Sequence, residues 1–151
     1  MICPVDKRDL IVVEYNKIEL DHCTQCHGAW FDAGELELLL KSLGLESYHQ
    51  FVGNIIDSGE AKTSEKRRKC PICRSKMRKK SIGEQPVVLI DVCQHGHGLW
   101  FDGGEFAHVL KHVAEKSSGK RDSQHRVIDF LGEVLEFDIE KGNWHKVKRS
   151  N

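Results

Sequence analysis

Cysteine, histidine and aspartate recur in this chain at the intervals that suit a metal ion. Cys3-Pro4-Val5-Asp6 is followed by Cys23-Thr24-Gln25-Cys26, and Cys70-Pro71-Ile72-Cys73 by Cys93-Gln94-His95-Gly96-His97. A two-residue gap lets one tight turn present two donors to one ion, and Zn2+ takes four sulfur, nitrogen or oxygen donors in a tetrahedron. Paired turns of this kind predict two zinc ions per chain. A disulfide framework is the competing use of the six cysteines. The opening Met-Ile-Cys-Pro run is no secretory signal, however, and CxxC pairs without an export sequence read as metal sites in a cytoplasmic protein.

The fourth donor is the open point in each set. In the first, Cys3, Cys23 and Cys26 are clear, and Asp6 stands in the knuckle where a second cysteine is usual. A carboxylate is an acceptable zinc ligand. His27 competes with it, His22 more weakly, and a three-ligand site completed by water is the remaining alternative. In the second set Cys70, Cys73 and Cys93 are clear, but Gly96 occupies the place of Cys26 and has no donor. His97 is favoured because its imidazole can reach back across the glycines. His95 is its competitor, one residue short of the usual gap.

A catalytic zinc needs an open coordination position with an acid or base beside it. Glu35 and Glu105 are available on paper, yet both read as helix-start residues, three places after Asp32 and Asp102 in a capping-box pattern. Glu105-x-x-His108-x-x-x-His112 shares one helix side, but only one helix carries it, and a solvated polar face explains it. The expectation is a non-enzymatic protein.

The elements that must position these donors follow from pattern. "DLIVVEYNKIELDHC" holds two β-rich runs around Asn16-Lys17, a hairpin that returns the chain from the first knuckle to the second. "WFDAGELELLLKSLG" then sets Leu36, Leu39, Leu40 and Leu43 at helical spacing, with Gly44 as terminator. The order returns in the second half: knuckle, the strand "VVLIDVC", Asp102-Gly103-Gly104-Glu105, and Phe106, Val109, Leu110 and Val113 as an apolar helix face. A match that covers ligands, strand and helix start together marks an internal repeat. The fold expected is a small α+β zinc-bound protein of two tandem ribbon or knuckle modules, each a β-hairpin followed by a helix, with extra helical segments. Module one spans 1–46 and module two 70–116. Between them, 47–69 begins with the stripe Tyr48, Phe51, Val52, Ile55 and Ile56 and ends as a basic linker without a packing face. Residues 117–151 are a linker and an amphipathic segment with Val127, Phe130, Leu131, Val134 and Leu135 at helical intervals.

With 39% apolar and 30% charged residues in 151, the chain would make a thinly cored single domain but suits small metal-stabilised modules. No apolar run is long enough to span a bilayer. A formal net charge of zero hides segregation: residues 62–80 hold ten Lys or Arg and one acid, whereas 129–140 hold five acids and no base. Lys66, Arg67, Arg68, Lys69, Arg74, Lys76, Arg78, Lys79 and Lys80 surround the second knuckle, where a rigid turn would aim them at phosphates. Trp30-Phe31 and Trp100-Phe101 are read as packing over the metal sites in preference to stacking on bases.

Cys3-Pro4, then Cys23-x-x-Cys26-x-Gly28-x-Trp30-Phe31-Asp32-x-Gly34-Glu35-Leu36, resembles the small zinc-finger family named after transcription factor IIB. Cys70-Pro71-x-Cys73, Cys93 and Gly98-x-Trp100-Phe101-Asp102-x-Gly104-Glu105-Phe106 resemble it a second time. The resemblance implies compact zinc ribbons followed by a helix, with zinc at Cys3, Cys23 and Cys26 and again at Cys70, Cys73 and Cys93. Transcription is implied only through the family's name. The function expected is a zinc platform whose basic second module binds DNA or RNA, or a complex that contains it. A protein adaptor or homo-oligomeric scaffold using the helical faces is the alternative, and a zinc hydrolase the remote one.

Overall fold

The structure is a computed structural model, and it describes residues 1–15, 17–42, 59–82, 88–103, 105, 137–138 and 143–144. Strands β1 (Ile11–Tyr15) and β2 (Ile18–His22) form the expected hairpin around a two-residue turn, with Lys17 left-handed at φ 66°. Strand β3 (Ala29–Asp32) follows the second knuckle, and helix α1 (Glu35–Ser42) follows β3. In the second half β4 (Arg78–Ile82), β5 (Val88–Val92) and β6 (Gly98–Phe101) repeat the strand order. Two short strands, β7 (Phe137–Asp138) and β8 (Asn143–Trp144), pair by themselves. The second helix face, the stripe at 48–56, the segment at 127–135 and His108 and His112 lie outside the described residues.

The halves do not stand apart as two beads. They form one six-stranded antiparallel sheet, in the order β1-β2-β3-β6-β5-β4. The seam is β3 against β6, with Trp30 opposite Trp100, Ala29 opposite Phe101 and Phe31 opposite Leu99. Each strand of the seam is made by the Trp-Phe-Asp block of its own half. A local two-fold therefore passes through the Trp30–Trp100 pair. Close approach at the seam needs glycine at two places. A Cβ on Gly28 would overlap the Trp100 indole, and one on Gly98 would overlap the Phe31 carbonyl and the Trp30 indole. Each indole thus lies over the other half's glycine.

The core follows from this. Leu10, Trp30, Met77 and Trp100 form one buried cluster with Cys3, Cys23, Cys70 and Cys93, so both cysteine sets border the same apolar interior. Phe31 and Phe101 meet edge to face at 5.7 Å, and Leu36 and Leu39 of α1 are buried, as the leucine spacing predicts.

The helix start differs from the expected cap. In the second half Glu105 does reach back, accepting from the Asp102 amide at 3.0 Å. In the first, Glu35 accepts from the Glu19 amide at 3.2 Å and ties α1 to β2. Neither aspartate side chain acts as the cap: Asp32 and Asp102 accept from the Trp30 and Trp100 indoles, each at 2.8 Å. A buried indole N–H needs a partner, and that need takes the carboxylate.

Residues 59–69 also differ from a free linker. The Ala61 amide donates to the Lys79 carbonyl on the outer side of β4 at 2.8 Å, and Glu65 pairs with Lys79 at 3.3 Å. This strap has no apolar face for periodicity to detect; it is held by backbone bonding and charge.

Candidate metal centres

Four loops of the same closure build the two centres. In each, the first cysteine donates its amide to the carbonyl five residues on: Cys3 to Arg8, Cys23 to Gly28, Cys70 to Ser75 and Cys93 to Gly98, at 2.7 to 3.0 Å. In three of them the residue four places on turns back to the cysteine carbonyl, and that residue is left-handed: Lys7 (φ 66°), His27 (64°) and Arg74 (66°). The fourth loop has the same length but turns one residue earlier. Gly96, at φ 78°, donates to the Cys93 carbonyl at 3.1 Å. A glycine takes that conformation without the cost a side chain carries. The residue after it, His97, is then free to turn its imidazole inward, whereas His27 at the matching place is itself the left-handed residue.

The structure brings Cys3, Asp6, Cys23 and Cys26 together with one donor atom each within 4.8 Å of the others, and likewise Cys70, Cys73, Cys93 and His97. In the first group Cys3 and Cys26 sulfurs are 3.6 Å apart and the Cys23 thiol donates to Asp6 Oδ2 at 3.2 Å. In the second, Cys73 and Cys93 sulfurs are 3.7 Å apart and His97 Nδ1 lies 3.4 Å from Cys93 Sγ. His95 Nδ1 reaches Cys73 at 3.5 Å but is not one of the four that converge. His22 is buried and turned to the Gly28 carbonyl at 3.2 Å, and His27 packs near it, so neither joins the first group.

The donor set suits a thiophilic dication. Backbone amides point at sulfur in both groups: Val5 to Cys3, Cys26 to Cys23, Ile72 to Cys70 and His95 to Cys93, at 3.4 to 3.5 Å. Such bonds favour the thiolate, the form that binds metal. The hydrogen bond from Cys26 brings the Cys3 thiol down to about 6, and the Ser75 amide, then His95, bring Cys73 down to about 5. Shared protons push the other way elsewhere. The bond to Cys3 and burial raise Cys26, and burial pushes Cys70 up to about 11. Four thiols and acids crowded this closely cannot all ionise without a cation among them.

A third group, Glu65, Asp102 and Glu105, also converges. Its cation is already present. Lys79, 2% exposed, places Nζ 3.0 Å from Asp91, 3.3 Å from Glu65 and 3.8 Å from Asp102. Burial opposes the ammonium, but Asp91 and its neighbours outweigh it and hold the amine above its ordinary range.

The nine basic residues around the second knuckle divide. Lys66, Lys69, Arg74, Lys76 and Arg78 are exposed. Lys79 is committed to that ion network and Lys80 is buried. Arg67 pairs with Glu60, and Arg68 lies 3.7 Å from Asp102. Alternation along β4 turns successive lysines to opposite faces, which a count of charges does not register.

No helix among the described residues is long and apolar enough to cross a membrane. Neither the curated proteins nor the solved structures contain a significant match to the chain. Residues 2–42 match the model of the transcription factor zinc-finger family, so the N-terminal module carries a zinc ribbon of the transcription-factor-IIB type.

Proposed function

We propose that the chain is a non-enzymatic protein with two structural zinc ions, that its second half is a tandem copy of the N-terminal ribbon, and that its exposed basic side chains bind nucleic acid. Cys3, Asp6, Cys23 and Cys26 would hold one ion, and Cys70, Cys73, Cys93 and His97 the other. The observation that carries the reading is the convergence of four donors in each group on equivalent loops. A closed four-donor set leaves no position for a reacting water, which argues for structure over catalysis. Zinc there would neutralise the crowded thiolates and fix the loops on either side of the sheet.

The equivalence extends through the backbone. Cys3, Leu10 and β1 correspond to Cys70, Met77 and β4, and Cys23, Trp30 and Asp32 to Cys93, Trp100 and Asp102. Nucleic-acid binding is supported by Lys69, Arg74 and Lys76, exposed on one rigid loop where Lys69 and Lys76 stand opposite each other. A polyanion meets those charges without disturbing the buried ones.

Two measurements test this. Metal analysis of the purified chain gives two zinc ions, His97→Ala lowers that to about one, and His95→Ala leaves two. Loss through His95→Ala alone would transfer the ligand to His95. Retention of single-stranded or duplex DNA and RNA falls steeply with salt, and replacing Lys69, Arg74 and Lys76 by Gln lowers the slope of log affinity on log salt by about 2–3. Absence of retention on every strand at low salt sinks the nucleic-acid reading while leaving the zinc reading intact.

A further inference from the structure

The two halves carry equivalent positions with opposite fates. Lys79 on β4 stands across from Asp91 and is 2% exposed; Val12, its counterpart on β1, stands across from Asp21 and is 62% exposed. What makes the difference is the strap. Residues 60–67 run along the outer side of β4, with Ala61 bonded to the Lys79 carbonyl and Glu65 to the Lys79 ammonium.

In the first half the framework for the same arrangement is present without its cation. Trp30 holds Asp32 as Trp100 holds Asp102, at 2.8 Å in both. Asp21 and Asp32 thus stand where Asp91 and Asp102 flank the Lys79 ammonium, and neither makes an ion pair with a side chain among the described residues. The Met1 ammonium interacts with Asp21, at the position from which the Arg68 amide bonds Asp91 at 3.4 Å. Partial burial, then the neighbouring Asp32, push the Asp21 carboxyl up, as expected where negative charge lacks a close counterion. The rest of the face is apolar and open: Ile11 is 47% exposed beside Val12.

We propose that this edge receives an extended, lysine- or arginine-bearing segment of a partner protein, whose backbone pairs with β1 at Val12 and whose cation sits against Asp21 and Asp32. Strand addition to a sheet edge supplies affinity through main-chain bonds and specificity through alternate side chains. The chain's own strap is the internal precedent for the backbone geometry. Because Val12 replaces Lys79, the charge that the strap carries as Glu65 must be inverted in the segment bound by β1. The proposal does not depend on nucleic-acid binding by the second half.

The probe is a synthetic peptide with the sequence of residues 59–69 carrying Glu65→Lys, titrated into the zinc-loaded, isotope-labelled full chain. Backbone amide signals of residues 11–15, 21 and 32 shift saturably, and the unaltered peptide or a scrambled one binds at least fivefold more weakly. Asp21→Asn with Asp32→Asn weakens binding at least tenfold. Val12→Lys, which supplies the cation from within, abolishes it, and this exposed substitution keeps the test decisive where the double variant fails to fold. No shift at these residues, or equal binding by the Val12→Lys chain, overturns the proposal. Concentration-dependent shifts there without peptide overturn it too, and give the edge to a second copy of the chain.

Discussion

Lys79 is the residue on which the second half depends most, and it does so through charge more than through packing. Asp91 is fully buried and has the Lys79 ammonium and the Arg68 amide for partners. Lys79→Met leaves that carboxylate unpaired, and chemical denaturation should register a loss of roughly 3–5 kcal/mol. Replacing both, Lys79→Met with Asp91→Leu, recovers most of it, because a well-packed apolar pair removes both desolvation costs. A neighbouring group gives a pH signature. Burial, then Asp102, push the Glu105 carboxyl up to about 8. A carboxyl raised in the folded state keeps its proton where the unfolded chain has lost it, so folding is penalised as pH rises from the ordinary carboxylate range through about 8. Thermal melts between those limits therefore fall with pH. Glu105→Gln flattens that part of the profile and stabilises the chain above it by about 1–2 kcal/mol, a figure reduced for the solvent that reaches the group.

Among the elements, β3 and β6 decide whether there are two small modules or one sheet. Gly98→Ala sets a methyl group against the Phe31 carbonyl, which is backbone and cannot swing aside, and Gly28→Ala meets the Trp100 indole. Both should destabilise by about 1–3 kcal/mol, Gly98→Ala the more, and fluorescence should report partial exposure of the tryptophans. Much of each half was legible beforehand. The β-rich runs around Asn16-Lys17 give the hairpin, and the leucine spacing gives α1, because periodicity records which face an element buries. The seam was not legible, since Trp-Phe-Asp has the same apolar look whether it covers a metal site or pairs with its own repeat. Gly28 and Gly98, each two residues before a tryptophan, were the available signal. The donors at Asp6 and His97 were readable as types, but the inward turn of His97 depends on where the left-handed residue falls, a backbone property that spacing alone expresses weakly. The strap at 59–69 escaped because polar segments held by ion pairs have no period.

For the whole molecule, one interior borders both cysteine groups, so their fates are joined. Trp30, Trp100, Leu10 and Met77 touch a common core that includes cysteines of each set. Stripping zinc with a chelator should therefore abolish a single cooperative unfolding transition, and His97→Ala should lower the melting temperature of the entire chain instead of splitting the transition in two. Separate melting of the halves would show that the seam transmits little. The same seam sets an order of events during synthesis. β3 is complete at Asp32, yet the strand that pairs with it ends at Phe101, almost seventy residues later. At about 5–20 residues per second, a newborn chain waits on the order of ten seconds with the seam edge of β3 unpaired and Trp30 lacking its final neighbour. Ribosome-bound chains halted before residue 98 should accordingly be more readily cross-linked to chaperones, or to each other, through the first half than chains halted beyond the second tryptophan.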